Sequence, residues 1–90
     1  MNQFTVEDTF LIKNRGLIAA GKLEGERHGF RIGARVRISR PDGTCLVSAV
    51  RGVDVSRPCF TEAINIGVLL DEGVAKEEVP RGSVVALETA

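Results

Sequence analysis

The sequence predicts an all-β protein in which the whole chain, residues 1–90, forms a single domain, a small antiparallel barrel of six or seven strands. Short runs rich in β-branched residues alternate with turn signals along the chain. Ten glycines are spaced between these runs, and no stretch shows a long repeat of about 3.6 residues, the period typical of a helix. A chain of 90 residues buries one core, which excludes a deep cleft between two lobes.

The first predicted strand covers residues 4–12. Alternation places four apolar side chains on one face, which Asp8 interrupts: Phe4, Val6, Phe10 and Ile12. Residues 13–16, Lys-Asn-Arg-Gly, are predicted to form a turn, because asparagine and glycine tolerate positive φ. The second strand follows at residues 17–24, and four of its side chains share a face: Leu17, Ala19, Gly21 and Leu23.

The third strand is predicted at residues 35–39, with its valine and isoleucine pointing inward and its two arginines outward. A type I turn is predicted at residues 40–43, because proline is second and glycine fourth. Residues 44–56 are predicted to form one long strand, in which a bulge near Gly52 corrects a break in the alternation.

The remaining elements are short. Residues 57–65 are predicted to form a loop, and residues 66–70 a buried strand. One helical turn is predicted at residues 76–79, where Pro80 ends it, and residues 83–87 form the last strand.

Composition and motifs exclude several classes of function. Lys plus Arg and Asp plus Glu both number 12, which excludes a histone-like polycation. The absence of Trp and Tyr argues against an aromatic platform for single strands. No apolar run approaches the roughly 18 residues of a membrane helix, and no signal peptide is recognised, so a cytoplasmic location without membrane contact is expected. No P-loop is present, so no GTP binding is expected.

No enzyme activity, cofactor or metal site is expected. Cys45 and Cys59 lack the spacing of a metal site and are predicted to be reduced thiols. His28 is the single histidine, and a catalytic pair with either cysteine is the only enzymatic arrangement that the sequence suggests.

Basic residues are concentrated in one part of the chain. Ten of the 12 Lys and Arg residues, but four of the 12 acidic residues, lie between residues 13 and 57. This segment therefore carries a net charge of +6 and the remainder −6. Two interpretations stay open: a basic face for a phosphate backbone, or solvated outward positions that interleave with acidic ones in the folded barrel.

Five segments, in order, resemble the second domain of elongation factor Tu and related translational GTPases: residues 6–22, 30–38, 44–57, 65–70 and 76–84. Residues 65–70, Asn-Ile-Gly-Val-Leu-Leu, are similar to the family's Asn-Val-Gly-Val-Leu-Leu. Residues 76–84, Lys-Glu-Glu-Val-Pro-Arg-Gly-Ser-Val, resemble its Arg-Glu-Glu-Ile-Glu-Arg-Gly-x-Val. The resemblance implies a stand-alone Greek-key β-barrel of the translation-protein type.

The resemblance also implies an RNA site, because this barrel helps to hold the aminoacylated 3′ end of tRNA in the family. Ile12, Ile18 and Leu69 match apolar residues around the terminal base. Asp54 stands where the family has a glutamate beside the terminal ribose, Arg57 matches an arginine near the terminal phosphates, and Arg15 matches the arginine of an Arg-Gly turn.

Two non-enzymatic functions are therefore expected. The first is translation-linked binding of RNA, either a tRNA acceptor end or rRNA. The second is protein–protein interaction or self-dimerisation through the surface that the family packs on its GTPase domain, for which Ile18, Phe30 and Phe60 are candidate exposed positions.

Overall fold

The computed structural model describes residues 3–24, 29–56 and 64–88. These residues form seven strands and one 3₁₀ turn, Lys76–Glu78. The strands are β1 Gln3–Ile12, β2 Gly16–Glu24, β3 Arg35–Ser39, β4 Cys45–Ala49, β5 Gly52–Ser56, β6 Asn65–Leu69 and β7 Val84–Leu87.

All seven strands belong to one antiparallel sheet, in the order β4-β3-β7-β1-β2-β6-β5. The prediction of an all-β, antiparallel, barrel-like domain is confirmed. The sheet is not closed by strand pairing, because β4 and β5 stand at its two ends. The last strand, β7, inserts between β1 and β3, so strands distant in sequence become neighbours in the sheet.

A β-bulge in β1 reverses the faces of the sheet on which the side chains after the bulge lie. Val6 is paired with Gly21, but the next pair is Asp8 with Ala20, so Glu7 is an extra residue in β1. Phe4 and Val6 are buried, whereas Phe10 is 52% exposed and Ile12 is 37% exposed. The prediction that these four side chains share one face is therefore wrong, because the extra residue reverses the alternation.

Residues 44–56 form two strands rather than one long strand. β4 pairs with β3 and β5 pairs with β6, and the chain turns between them at Val50 and Arg51. Val50 is buried at this corner, and the Arg51 N–H donates to the Leu69 carbonyl oxygen (2.8 Å). The break in alternation marks this change of pairing partner, so the predicted single strand with a bulge near Gly52 is wrong.

The other predicted elements are confirmed within one or two residues. Predicted inward positions Leu17, Ala19, Val36 and Ile38 are all buried. The turn at residues 40–43 is closed by a hydrogen bond from the Gly43 N–H to the Arg40 carbonyl oxygen (3.0 Å). Residues 57–63 of the predicted loop lie outside the described residues.

One apolar core fills the interior of the curved sheet. Among the described residues, fourteen buried apolar side chains compose it: Phe4, Val6, Leu17, Ala19, Phe30, Val36, Ile38, Val50, Ile66, Val68, Leu70, Val74, Val79 and Val85. Phe30 packs against Phe4, with ring centroids 5.8 Å apart. The expectation of an exposed Phe30 is thus wrong, because its ring closes the core beside β1. Phe60 lies outside the described residues.

Candidate functional site

A groove crosses the outer face of β1, β2, β6 and β5. Its volume is about 390 Å³, within the lower range of small-ligand sites. Residues of all four strands line it: Phe10, Ile18, Ala20, Gly52, Val53, Asp54, Ser56, Asn65, Ile66, Gly67 and Leu69.

Two glycines form the floor of the groove. A Cβ atom placed on Gly67 would lie 3.3 Å from Ile18 Cγ2. A Cβ atom placed on Gly52 would lie 3.4 Å from Leu69 Cβ. Because neither glycine carries a side chain, the outer face is depressed here, and a flat group can approach the sheet.

An apolar row forms one wall of the groove. The strand register places Phe10 of β1 opposite Ile18 of β2, and Ile18 opposite Leu69 of β6. Ile18 and Leu69 are partly buried, whereas half of Phe10 is accessible. Side chains directly opposite on neighbouring strands lie about 5 Å apart, so the three form a continuous apolar surface.

Asp54 supplies the negative charge of the groove. It is exposed on β5 and lies opposite Gly67 in the strand register. Its carboxylate oxygens accept hydrogen bonds only, so they suit hydroxyl or amino groups of a ligand. Ser56 and Asn65, at the same end of the groove, offer polar groups beside it.

Three of the six residues predicted from the resemblance meet in this groove, namely Ile18, Asp54 and Leu69. Ile12 and Arg15 instead line a separate depression at the β1–β2 turn, together with Glu72. Arg57 lies outside the described residues, as do His28 and Cys59.

Phe10 is the aromatic residue of the groove, and it is among the lining residues that the sequence reasoning missed. Alternation along the sequence predicts that Phe10 shares a face with Phe4 and Val6, but the bulge brings it to the outer face. The consecutive acidic residues Glu7 and Asp8, within an otherwise alternating strand, are the signal that could have revealed this position.

No family model matches this chain.

Basic residues stand at the margins of the groove. Lys22 is exposed on β2 opposite Asn65, at the Asp54 end. Arg51 is at the other end, next to Leu69, and forms an ion pair with Glu72 (3.3 Å). Arg37 lies on β3, away from the groove, and forms an ion pair with Glu88 (3.1 Å). Some of the basic residues are therefore interleaved with acidic ones.

Other types of site find little support among the described residues. Within residues 3–24, 29–56 and 64–88, no three His, Cys, Asp or Glu side chains are grouped to hold a metal. Cys45 is an exposed free thiol on β4. In the same ranges, no helix has the length and apolar character needed to span a bilayer.

Proposed function

We propose that this protein binds RNA in connection with translation, and that its outer groove holds the unpaired 3′-terminal nucleotide of a tRNA or a looped-out nucleotide of rRNA. One observation carries the proposal: an accessible aromatic ring, two aliphatic side chains and a carboxylate converge on a glycine-floored groove. The resemblance to the elongation factor Tu barrel supports the same ligand, because Ile18, Asp54 and Leu69 match its pocket residues.

Each part of a nucleotide has a suitable neighbour in the groove. The base packs on Phe10, Ile18 and Leu69, since unstacked RNA bases commonly lie against aromatic and apolar side chains. Asp54 accepts hydrogen bonds from the ribose hydroxyls, of which the 2′-hydroxyl distinguishes RNA from DNA. Lys22 neutralises a phosphate at the rim. The match of Arg57 to an arginine near the family's phosphates adds a second cation.

The test is fluorescence anisotropy of labelled tRNA, titrated with the protein at two salt concentrations. Aminoacylated tRNA, deacylated tRNA and tRNA without its terminal adenosine are compared. We expect saturable binding that weakens with salt, because phosphate contacts release counterions. Removal of the adenosine should weaken binding by about tenfold or more, because base stacking contributes about 1–3 kcal/mol.

Matched variants connect the binding to the groove. Phe10→Ala and Asp54→Ala alter exposed groove residues, and Arg57→Ala tests the expected phosphate contact. Ile32→Ala is the control, because Ile32 is 75% exposed and lies outside the groove. Equal affinity of all four variants for every tRNA, or no binding at tens of micromolar, would contradict the proposal.

Binding to another protein is the second candidate function. It is favoured by three consecutive accessible apolar residues at the end of β1, of which Leu11 is the most exposed at 69%. Sedimentation velocity of the wild type and of Leu11→Ser distinguishes self-association through this end from a monomer. If the protein is a monomer and binds no RNA, a different protein becomes the expected partner of this end of β1.

A further inference from the structure

The turn between β3 and β4 contains the one Asp-Gly pair in the sequence, Asp42 and Gly43. The main-chain nitrogen of a glycine is little shielded, and it can attack the side-chain carboxyl carbon of an aspartate that precedes it. The new bond from nitrogen to carbon closes a five-membered succinimide ring, and one water leaves. One water then reopens the ring, and opening at the main-chain carbonyl carbon gives isoaspartate, in which the chain runs through the side chain.

The geometry of the turn requires the glycine of this pair. Gly43 has a φ of 93°, a conformation that residues with a side chain rarely adopt. The requirement comes from the backbone and not from crowding, because a Cβ atom at Gly43 would meet nothing within 4 Å. Replacing this glycine would therefore remove the susceptible pair only at the cost of strain in the turn.

A turn hydrogen bond holds the nitrogen that would attack. The Gly43 N–H donates to the Arg40 carbonyl oxygen (3.0 Å), and the Arg40 N–H donates to the Thr44 carbonyl oxygen (2.8 Å). The nitrogen attacks only after it has lost its proton. In the closed turn, that loss would leave the lone pair of the Gly43 nitrogen facing the Arg40 oxygen, which is unfavourable.

Two further hydrogen bonds hold the carboxyl group that would be attacked. The Thr44 hydroxyl donates to Asp42 Oδ1 (2.6 Å), and the Thr44 N–H donates to the same oxygen (2.9 Å). Water leaves readily from a neutral carboxyl group and not from a carboxylate. Both donors favour the carboxylate, so they hold the pKa of Asp42 below its ordinary value of 3.8, and the hydroxyl makes the largest contribution.

Solvent reaches both reacting groups. Asp42, Gly43 and Thr44 are all exposed, so burial does not protect them from water. We infer that Asp42 is a site of isoaspartate formation, and that the Thr44 hydroxyl suppresses the reaction while the turn is closed. The reaction releases one water, consumes one water and needs no other reactant. The site lies in the β3–β4 turn, apart from the groove on β1, β2, β6 and β5.

The modification prevents the turn from closing again. Isoaspartate adds one atom to the main chain of the turn, so the hydrogen bond from Gly43 to Arg40 no longer fits. The neighbouring pair is Ser39 with Cys45, at the end of the β3–β4 ladder. Leu46, the next residue of β4, packs against the core, so the loss of this turn also loosens the packing of an end strand.

The first test measures isoaspartate in the folded protein during incubation at neutral pH and constant temperature. Enzymatic methylation by an isoaspartate methyltransferase quantifies the modified residues, and peptide mapping locates them. Thr44→Val removes the hydroxyl bond, and Thr44→Ser keeps it as the matched control. We expect Thr44→Val to form isoaspartate at Asp42 about fivefold faster than the wild type, the value of one hydrogen bond, and Thr44→Ser to stay within about twofold. Equal rates for the wild type and Thr44→Val would overturn the inference.

Two references separate the effect of the turn from the stability of the whole fold. A peptide of residues 39–46 carries the same pair without the fold, and it should react about tenfold faster or more than the folded protein, because the three hydrogen bonds are absent. Asp71→Ala removes the contact with the Ala49 N–H and leaves the turn unchanged, so it should react at the wild-type rate. A folded protein as fast as the peptide, or a rise in Asp71→Ala equal to that in Thr44→Val, would contradict the inference. Circular dichroism verifies that the variants are folded.

Discussion

Asp71 and Ser48 are joined by a hydrogen bond that links the chain after β6 to β4, an end strand of the sheet. The Asp71 N–H donates to Ser48 Oγ (3.1 Å), while the Asp71 carboxylate accepts from the N–H of Ala49 (3.1 Å). Asp71 follows β6, the neighbour of β5, whereas Ser48 and Ala49 belong to β4. These two hydrogen bonds thus hold the segment after β6 against β4, although the two strands are not paired.

Asp71→Ala should lower the free energy of unfolding by about 2 kcal/mol, because the Ala49 N–H loses a charged acceptor in a partly buried place. Urea denaturation followed by circular dichroism measures the change. Asp71→Asn is the control, since its amide oxygen can still accept this bond, and it should lose less than half as much. Equal losses would show that the hydrogen bond to Ala49 is not the cause.

Gly21→Ala should lower the free energy of unfolding by at least about 2 kcal/mol, as expected for overpacking within a core. A Cβ atom at Gly21 would collide with the Thr5 carbonyl oxygen, a backbone atom beside the bulge that cannot move without breaking the β1–β2 pairing. Thermal denaturation measures the loss. Gly73→Ala is the matched control, because a Cβ there meets nothing within 4 Å, and its effect should stay within about 0.5 kcal/mol.

Gly67→Ala should weaken nucleotide binding more than it changes stability. The added Cβ would lie 3.3 Å from Ile18 Cγ2, so it fills the floor of the groove while the exposed outer face can adjust. We expect at least a tenfold loss of tRNA affinity by anisotropy, with a melting temperature within a few degrees of the wild type. Unchanged affinity in a folded Gly67→Ala protein would exclude the groove as the nucleotide site.

Thr44→Val should raise the pKa of Asp42 toward its ordinary value of 3.8. The Thr44 hydroxyl donates to Asp42 Oδ1 (2.6 Å) and the Thr44 N–H to the same oxygen (2.9 Å), and both bonds hold this pKa below that value. Valine removes only the hydroxyl bond, so part of the shift should persist. Carboxyl chemical shifts followed by NMR during acid titration measure the pKa.

The two hydrogen bonds from Thr44 to Asp42 make the stability of the folded protein depend on pH, in a direction that follows from the lowered pKa. Because the pKa of Asp42 is lowered in the folded protein, its stabilisation is present above the unfolded pKa and is lost as the pH falls below about 3.8. The wild type should therefore lose more stability than Thr44→Val between pH 4 and pH 2. A larger loss in the variant would contradict this assignment.

Local patterns predicted most of the strands, because each depends on near neighbours in the sequence. Exposed and buried residues alternate along Arg35–Ser39 without interruption, and its pairing with β4 and β7 keeps a regular register. Two features depend on distant partners and were missed. The corner at Val50 exists because β4 pairs with β3, whereas β5 pairs with β6 near the other end of the sheet. The bulge at Glu7 is defined only by the pairing of β1 with β2.

The candidate groove was predicted in part for the same reason. Ile18, Asp54 and Leu69 lie on regular strands, so positions taken from the resemblance translate directly into neighbours in space. Phe10 follows the bulge, and period-two counting therefore assigned it to the face of Phe4. The shape of the floor depends on what Gly52 and Gly67 face, and no local pattern contains that information.

The extra residue at Glu7 decides on which face of the sheet Phe10 lies. The binding surface therefore depends on the spacing of residues along β1 and not only on their identity. If β1 paired regularly and Glu7 were not bulged, Phe10 and Ile12 would lie on the face of Phe4 and Val6, and the groove would lose its aromatic ring although every residue was kept. One residue inserted or deleted between the bulge and Phe10 would likewise turn the ring to the other face of the sheet. Substitution-based comparisons of similar barrels would not register that change.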